Sequence, residues 1–486
     1  MPANRDTQRY LDTLAQLLGI VARFPLPINQ LFSIQGYEAA AGEVKASLDR
    51  GWDQGFPGLF SALDILIASF HAPPDGQDYV RAAAASLWMD QQISYEQSPG
   101  PRRVSLYDIV PLSGDEPVFP GIFNRNGETA GGQLYPKFEV CQVYNRLSEQ
   151  AEPLANRDVF NGLNGQLHHV SCARYDPRHV IHHVVLPYDY GPGDEEADFR
   201  IAFCPMSDDP HLLELEEQPL VYRGIEMRGR RVKSVNHKEV LLSRFREDLT
   251  LACEAGADVV FFPEMLGMEA LEVQSAGSNV TILDHALEIM NKALETGRNL
   301  KLPTLILLPT WWRDGINSAT AVYQDGRVLG AQEKYIPYVN MKDHWVEALR
   351  EAEERHTLVI HIPGVHRIAV VICAEFQPLR DHMAGVLCGS LGATLILVPS
   401  YSKGEQDFIN SLSTLRDYGV SVVWGNCCGA ARTPQVTGGC SIAGIDGIQR
   451  FGTQCRCGRS CEGTRACLYL TRLPLALSRE KPQGPS

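Results

Sequence analysis

The first 95 residues carry a hydrophobic pattern with the period of an α-helix. Residues 60–70 and 79–88 are apolar and rich in alanine, the strongest helix former. Four leucines near the N-terminus recur at spacings of one, three and four, so a helix would place them on one face. They are Leu11, Leu14, Leu17 and Leu18. We therefore predict a largely helical N-terminal region.

The pattern becomes mixed over residues 96–190. Segments 138–144 and 180–186 are rich in β-branched and apolar residues and are predicted strands. Glycine, proline and acidic residues then cluster over 189–196, which is typical of a boundary between domains. We expect an N-terminal domain of unknown function over 1–190, a second domain over 198–473 and a C-terminal tail over 474–486.

After residue 198, short β-type runs alternate with helical stretches, which indicates an α/β domain. A hairpin is also expected over 319–332, because Asp325-Gly326 is a strong turn signal. Hairpins mixed with long crossovers predict mixed sheets in an α-β-β-α layering. The predicted strands cover 200–206, 259–262, 304–309, 357–362, 367–372, 394–399 and 420–424, and the predicted helices cover 237–256, 282–296, 378–391 and 406–418.

Composition and charge narrow the class of protein. A chain of 486 residues with 44% hydrophobic and 21% charged residues suits two or three folded domains and not a disordered protein. A formal charge of −14 argues against a broad surface for nucleic acid or anionic membrane. We expect neither a secretory signal nor a membrane span. Cysteines in apolar or helical surroundings, among them Cys141, Cys204, Cys253 and Cys388, suggest free thiols in a reducing cytoplasm.

Three chemically capable side chains follow predicted strands of the second domain. They are Glu264, Lys334 and Cys373, separated by 70 and then 39 residues. Ligand-binding and catalytic residues collect where the strands of α/β folds end. Each alone has an ordinary interpretation: a strand-end glutamate caps, a lysine is a surface charge, and a cysteine in an apolar run belongs to the core. Their joint occurrence is what makes a reactive site the better hypothesis.

These three residues with their neighbours, Pro263, Pro337 and Ala374-Glu375, resemble the pattern of the nitrilase superfamily of carbon–nitrogen hydrolases. The resemblance covers about residues 198–473 and does not extend to 1–190. It implies a nitrilase-like four-layer α-β-β-α sandwich, to which the mixed, largely helical N-terminal domain is added. Supporting motifs lie at 317–326, 392–400, 415–426 and 438–447.

The resemblance implies a Glu-Lys-Cys triad. Cys373 would attack the substrate carbon, and Glu264 would accept the thiol proton and later deliver it to the leaving nitrogen. A thiol with an ordinary pKa near 8.5 is only a few per cent ionised at neutral pH, so it needs such a base. Lys334 and the backbone N–H of Ala374 would stabilise the charge of the tetrahedral intermediate.

The sequence departs from the family pattern at two places. Many members have an aromatic residue directly after the nucleophile, where this chain has Ala374, so one wall of the pocket would be more open. Members also carry a second glutamate after the lysine, at a position occupied here by Lys342. Glu347 is the nearest glutamate and Asp343 the nearest acid, so Glu347 is a possible second carboxylate and the choice stays open.

Other motifs favour ordinary interpretations. Arg223–Lys233, which follows several glutamates, is interpreted as a solvated loop of mixed charge. The adjacent histidines at 168–169 and 182–183 are expected to be satisfied core or surface residues, and phosphate-binding glycine loops are absent. A late cysteine group lacks the paired spacing of a structural zinc site, so we expect no metal and no cofactor. Its members are Cys455, Cys457, Cys461 and Cys467.

The sequence thus predicts a cytoplasmic thiol hydrolase acting on a small amide, carbamoyl compound or nitrile, with amide favoured by the resemblance. Acyl transfer to an amine is one alternative. A non-catalytic or regulated oligomeric scaffold, for example a stress or defence effector, is another. Apolar positions on helices 378–391 and 406–418, together with the resemblance, predict at least a homodimer.

Overall fold

The structure is a computed structural model and describes a subset of the chain. The described residues are 5–26, 28–94, 102–105, 118–120, 133–136, 166–173, 179–186, 198–207, 209, 211–267, 273–275, 278–280, 282–295, 301–376, 387, 391–402, 407–411, 420–431, 440–444, 447–451 and 468–474. The chain divides into two compact units. The first comprises Met1–Glu139, Ser148–Val185 and Ala384–Gly392, and the second Val140–Leu147, Leu186–Met383 and Ala393–Ser486.

Helices build the core of the first unit. The leucine face of the first helix is buried, and Tyr10 on the same helix donates its hydroxyl to the carbonyl of Met89 at 2.6 Å. Asp75 caps the last helix by accepting the backbone N–H groups of Gln77 and Asp78. The helices are α1 (Arg5–Val21), α2 (Ile28–Phe32), α3 (Tyr37–Trp52), α4 (Gly55–Ala68) and α5 (Gly76–Gln91).

Short strands complete the described part of the first unit. β1 (Ile93–Ser94) pairs in parallel with β2 (Val104–Ser105). β3 (Val118–Pro120) pairs antiparallel with β6 (His179–Val185), and β4 (Gln133–Pro136) with β5 (Val170–Ala173). The predicted strand at 138–144 and the predicted boundary at 189–196 lie outside the described residues. The described part of the chain resumes at residue 198.

One sheet of the second unit is mixed and runs in the order β14-β15-β13-β10-β7-β25, with β16 also pairing with β15. β7, β10 and β13 are parallel, and hairpins and an antiparallel edge strand complete it. Its strands are β7 (Asp198–Phe203), β10 (Val259–Phe261), β13 (Leu305–Leu307), β14 (Trp311–Arg313), β15 (Ile316–Tyr323), β16 (Val328–Glu333) and β25 (Tyr469–Pro474).

A second mixed sheet of this unit contains the order β24-β23-β22-β21-β20-β19. β20, β21 and β22 are parallel, and β19, β23 and β24 are antiparallel to their neighbours. The strands are β19 (Arg355–Ile362), β20 (His366–Val370), β21 (Leu395–Ser400), β22 (Ser421–Asn426), β23 (Cys440–Gly444) and β24 (Gly447–Phe451). A small hairpin, formed by β11 (Val273–Ser275) and β12 (Ser278–Val280), lies between β10 and β13 in the sequence.

The two sheets pack face to face. The ring of Phe203 on β7 lies against Gly425 on β22 so closely that a Cβ there would overlap it, and Phe199 contacts His366 at 4.9 Å between ring centroids. Helices α6 (Lys238–Glu254) and α7 (Ile282–Glu295) pack with the first sheet in one apolar cluster, where the rings of Phe245 and Phe262 lie 4.7 Å apart. The described residues thus provide a helix layer and two sheet layers.

The prediction of a second helix layer falls largely outside the described residues. Of the predicted helices 378–391 and 406–418, the structure describes residues 387, 391 and 407–411, and 407–411 are helical. Phe408 stacks on Trp424 of β22 at 4.7 Å, so this stretch covers part of the second sheet. The late cysteines 455, 457, 461 and 467 are likewise outside the described residues.

The interpretation of Arg223–Lys233 as a loop was wrong. β8 (Leu213–Tyr222) and β9 (Ile225–Val235) form a long antiparallel hairpin, which β18 (Trp345–Glu347) and β17 (Val339–Asn340) extend into a sheet. Glutamates on β8 face basic residues on β9, as in the pair Glu214–Lys233 at 2.6 Å. Opposite charges on neighbouring strands stabilise a hairpin, so a run of alternating charge did not indicate a loop.

Among the described residues, no helix has the length and apolar character needed to cross a membrane.

Candidate active site

Glu264 lies in the interior, three residues after the end of β10. The strand is fully buried, and Pro263 ends its ladder because proline has no N–H to donate. The chain then turns at Met265, whose φ of 67° is in the left-handed region and whose N–H donates to Thr310 Oγ1 at 2.8 Å. The carboxylate of Glu264 is completely buried.

Lys334 directly follows β16, at the end of the β15–β16 hairpin. Its backbone N–H donates to the carbonyl of Asn317 on β15 at 2.8 Å, so the hairpin fixes the backbone position from which the side chain extends. The side chain is 1% exposed. A buried lysine is rare in proteins unless its charge is paired.

Cys373 lies three residues after β20 and begins a short 3-10 turn, Cys373–Phe376. Its φ is 46°, a conformation that is uncommon for any residue other than glycine. Non-glycine residues in this region cluster at functional sites, where the surrounding structure imposes the strain. The residue is buried, as is Ala374 beside it.

These three side chains meet in one cluster. Glu264 Oε1 accepts a hydrogen bond from Lys334 Nζ at 2.7 Å. The Cys373 thiol lies close enough to both groups for their charges to act on its pKa. Glu264 Oε1 also accepts Asn317 Nδ2 at 2.8 Å, and Glu264 Oε2 accepts the N–H of Tyr401 at 3.2 Å. The carboxylate is therefore held from both sides, by groups from three other strands or strand ends.

Glu347 on β18 supplies a second carboxylate. Its Oε2 lies 2.6 Å from Lys334 Nζ and accepts the N–H of Tyr338 at 2.9 Å. Oε1 is buried and has no hydrogen-bond partner among the described residues. Asp343 was the other candidate for the second carboxylate in the sequence. It is exposed, and its hydrogen bonds are with Asn340 and not with Lys334.

Burial and mutual charge shift the pKa values of these groups. Burial raises the pKa of the Cys373 thiol, Glu264 adds to the increase, and Lys334 opposes it. Burial acts to lower the pKa of Lys334, but the charges of Glu264, Glu347 and Cys373 outweigh it and the pKa rises. Burial also raises the pKa of Glu347, against the opposing charge of Lys334. Both shifts favour the protonated form, which is the ammonium form of Lys334 and the neutral thiol form of Cys373.

Such an arrangement suits nucleophilic catalysis. Moving the thiol proton to Glu264 creates a thiolate without changing the net charge of the buried cluster, so no additional charge has to be desolvated. A buried ammonium group such as that of Lys334 is a preorganised donor for negative charge that develops next to it. Clusters in which desolvation and specific partners perturb pKa values are typical of active sites.

Sequence reasoning did not single out several residues of this cluster. Asn317 was noted only within a motif, and no signal marked its amide as a partner of Glu264. Tyr401 contributes a backbone N–H, which no side-chain pattern can indicate. Glu375 was noted only as a neighbour of the nucleophile, yet its buried carboxylate accepts two N–H groups after Lys334.

The other groups considered for metal binding do not form a site in the described residues. His183 is buried and His182 half-buried on β6, as alternation along a strand requires. The N–H groups of His168 and His169 donate to Asp90. His71, Asp75 and Asp78 lie within 4.8 Å of one another, but Asp78 already accepts Arg81 at 2.5 Å and several N–H groups. We assign no metal to them.

Comparison with solved structures finds amidases of the nitrilase superfamily. A cysteine-to-alanine mutant of the amidase from Nesterenkonia AN1 is 16% identical, with 57% of this chain and 90% of that chain covered and a TM-score of 0.37. A crystal structure of an amidase from Nesterenkonia sp. is 17% identical, with 58% and 93% covered and a TM-score of 0.35. No family model matches the chain, and no curated protein does. Likeness at this level carries no inference about chemistry, which must come from the site itself.

Proposed function

We propose that this chain is a thiol hydrolase that cleaves a non-peptide C–N bond, in a small amide, carbamoyl compound or nitrile, through acylation of Cys373. The observation that carries the proposal is the buried cluster of a strained cysteine, two carboxylates and one lysine. Buried charges contribute little to stability compared with apolar side chains of the same volume. Their retention beside a thiol therefore favours a chemical role over a structural one.

In the acylation step, Cys373 Sγ bonds to the carbonyl carbon of the amide while its proton passes to Glu264. The electron pair of the carbonyl moves to oxygen, where the ammonium of Lys334 and the N–H of Ala374 stabilise the negative charge. The C–N bond then breaks, and the proton on Glu264 goes to the departing nitrogen. The products are a thioester on Cys373 and free ammonia or amine.

In the second step, water attacks the thioester and gives a proton to Glu264. The C–S bond breaks, a carboxylic acid leaves, and the proton returns to the sulfur of Cys373. Glu264 therefore serves as base and acid in both halves of the cycle. If an amine replaced water at this stage, the same site would transfer the acyl group.

Glu347 is the proposed second carboxylate. Its Oε2 holds Lys334, whereas Oε1 is a buried acceptor without a partner among the described residues. A buried acceptor that lacks a partner costs free energy until a donor reaches it. An amide or carbamoyl nitrogen offers N–H donors and a nitrile nitrogen offers none. This observation favours an amide over a nitrile.

The test is incubation of the protein with a metabolite extract and with a panel of small amides and nitriles, followed by mass spectrometry of both the mixture and the protein. We expect consumption of an amide together with an acyl adduct on the Cys373 peptide, and neither with Cys373→Ala. Formation of a new amide in place of an acid would identify acyl transfer. Absence of any consumption or adduct would contradict the proposal and favour a non-catalytic scaffold.

A further inference from the structure

Glu375 lies two residues after the proposed nucleophile and has no part in the chemistry described above. Its side chain is buried, with the residue 7% exposed. Oε1 accepts the N–H groups of Tyr335 at 2.6 Å and Ile336 at 3.1 Å, and Oε2 faces the N–H of Ile372 at 3.4 Å. Three backbone donors therefore converge on this one carboxylate.

The donors come from two separate parts of the site. Tyr335 and Ile336 directly follow Lys334, and Ile372 directly precedes Cys373. We propose that Glu375 is a positioning residue: its carboxylate ties the turn that carries Cys373 to the chain directly after Lys334, and so fixes the thiol relative to the ammonium group. This inference rests on the proposed function, since it assigns Glu375 a role in activating the same thiol.

The site needs such a tie because Cys373 has an unfavourable backbone conformation at the start of a short turn. Its φ of 46° persists only while neighbouring contacts hold the turn in place. Hydrogen bonds to an ionised carboxylate are shorter and about twice as strong as neutral ones. A neutral side chain of the same shape would hold the two segments less firmly.

The electrostatic surroundings of Glu375 make this tie sensitive to pH. Burial raises the pKa of Glu375 to about 7, against the opposing effects of the Tyr335, Ile336 and Ile372 N–H groups and the charge of Lys334. The titratable groups that face it are Lys334 and Tyr335, with Glu333 beyond Tyr335. Below about pH 7 the carboxyl takes up a proton, and its bonds to the three N–H groups lose their charge assistance.

The experiment measures the rate at which iodoacetamide labels the Cys373 peptide, by mass spectrometry, from pH 6 to 9. It compares the wild type, Glu375→Gln and Glu375→Asp. Asp90→Asn is the matched control, because Asp90 is also buried and also accepts three backbone N–H groups, those of residues 168–170. Circular dichroism establishes that each variant is folded. No substrate has to be known.

For the wild type we expect a rate that is nearly constant above pH 7 and falls below it. Glu375→Gln should label about tenfold more slowly at pH 7.5, and its rate should rise about tenfold per pH unit, as for a thiol without a base. Loss of the negative charge of Glu375 would by itself raise the labelling rate, because removal of a nearby negative charge favours the thiolate. Asp90→Asn should keep the wild-type profile.

Equal or faster labelling in Glu375→Gln, with the wild-type pH profile, would overturn the positioning role. If that variant does not fold, Glu375→Asp decides: it keeps the charge but is one methylene too short to reach both segments, so we expect labelling several-fold slower than in the wild type, and an unchanged rate overturns the role. Failure of the proposed function is recognised separately, because the wild-type Cys373 would then react no faster than an ordinary buried thiol.

Discussion

Each of the two units buries carboxylates, and the groups that satisfy them differ. In the first unit Asp90 accepts backbone N–H groups from residues 168–170, at 2.5 to 2.9 Å. In the second unit Glu264 accepts a lysine ammonium, an asparagine amide and one backbone N–H, and its charge acts on the nearby thiol of Cys373. Backbone donors do not release their protons, so these three hydrogen bonds to Asp90 hold residues 168–170 in place; the imidazole of His169, 3.8 Å away, is not hydrogen-bonded to it. The thiol beside Glu264 can release its proton, so that carboxylate can do chemistry.

This difference suggests how to judge a buried acid in a chain of unestablished function. The informative property is the identity of its donors, since burial alone is shared by both carboxylates. Glu375 combines the two cases: its donors are backbone groups, as for Asp90, but they flank the proposed nucleophile and the lysine. Substitutions in both units can test whether the distinction holds.

The largest effect is expected for Cys373→Ala. Removal of the sulfur eliminates the covalent intermediate, so turnover of any substrate found in the panel should fall by about 10⁴-fold or more. The thermal unfolding midpoint should change little, because alanine also fits a buried turn and the lost sulfur is small. Retention of turnover within tenfold of the wild type would refute the nucleophile.

Glu264→Gln should lower turnover by about 10²- to 10⁴-fold, the usual contribution of a general base. The amide oxygen can still accept Lys334 and Asn317, and the amide NH2 loses only the hydrogen bond from the N–H of Tyr401, so most of the cluster should keep its geometry. The measurement is single-turnover acylation, with Asp258→Asn as a control that neutralises another buried acid of the same unit. Equal losses in both variants would indicate a general effect on stability and not a specific loss of the base.

Lys334→Met should lower stability, in addition to removing the proposed stabiliser of the charged intermediate. It leaves Glu264 and Glu347 buried without their shared counter-ion, and breaking a buried pair costs about 3–5 kcal/mol. Urea unfolding of the second unit measures this loss. Adding Glu264→Gln and Glu347→Gln to Lys334→Met should restore part of the stability, because no charge is then left unpaired. If the losses of unfolding free energy from the three substitutions simply added in the triple variant, the three charges would not stabilise one another as proposed.

Asp90→Ala should destabilise the first unit by about 2–3 kcal/mol, because buried N–H groups of residues 168–170 lose their acceptor. Hydrogen exchange at these amides should quicken. Labelling of Cys373 should keep its wild-type rate, which would set this carboxylate apart from Glu264. A large change in Cys373 reactivity would break the distinction between the two kinds of buried acid.

The sequence predicted some of these features better than others, for physical reasons. The alternation of short apolar runs and helices anticipated β7, α6, β10, α7 and β13, since each of these elements has its own periodic signal. It also directed attention to Glu264, Lys334 and Cys373, because strand ends and unusual neighbours are local properties. Their catalytic roles stay predictions until they are measured.

Features that depend on contacts distant in sequence were not predictable. Strand β9 was missed because its basic residues are explained by glutamates on β8 only once the hairpin is formed. The contact of Glu347 with Lys334 depends on the parallel pairing of β18 with β9. The homodimer also stays a prediction, since helices 378–391 and 406–418 lie mostly outside the described residues, and light scattering at micromolar concentration tests it.

The smallest expected effect concerns the pH dependence of the first unit. Asp78 is buried at the start of α5, and although burial raises its pKa, hydrogen bonds from Asp75 and His71 outweigh this and lower it to about 2. A carboxyl whose pKa is lower in the folded state stabilises the fold above its unfolded pKa, near 4, and this contribution is lost as the pH falls from about 4 to about 2. We expect a loss of about 1–2 kcal/mol over that window, measured as a fall in the urea midpoint of the first unit. Asp78→Asn should be less stable at pH 5 and should show little further change down to pH 2, because asparagine does not titrate. A wild type and a variant that lose stability in parallel over this window would show that other groups dominate acid unfolding, and that the capping-box residue Asp78 has no measurable part in it.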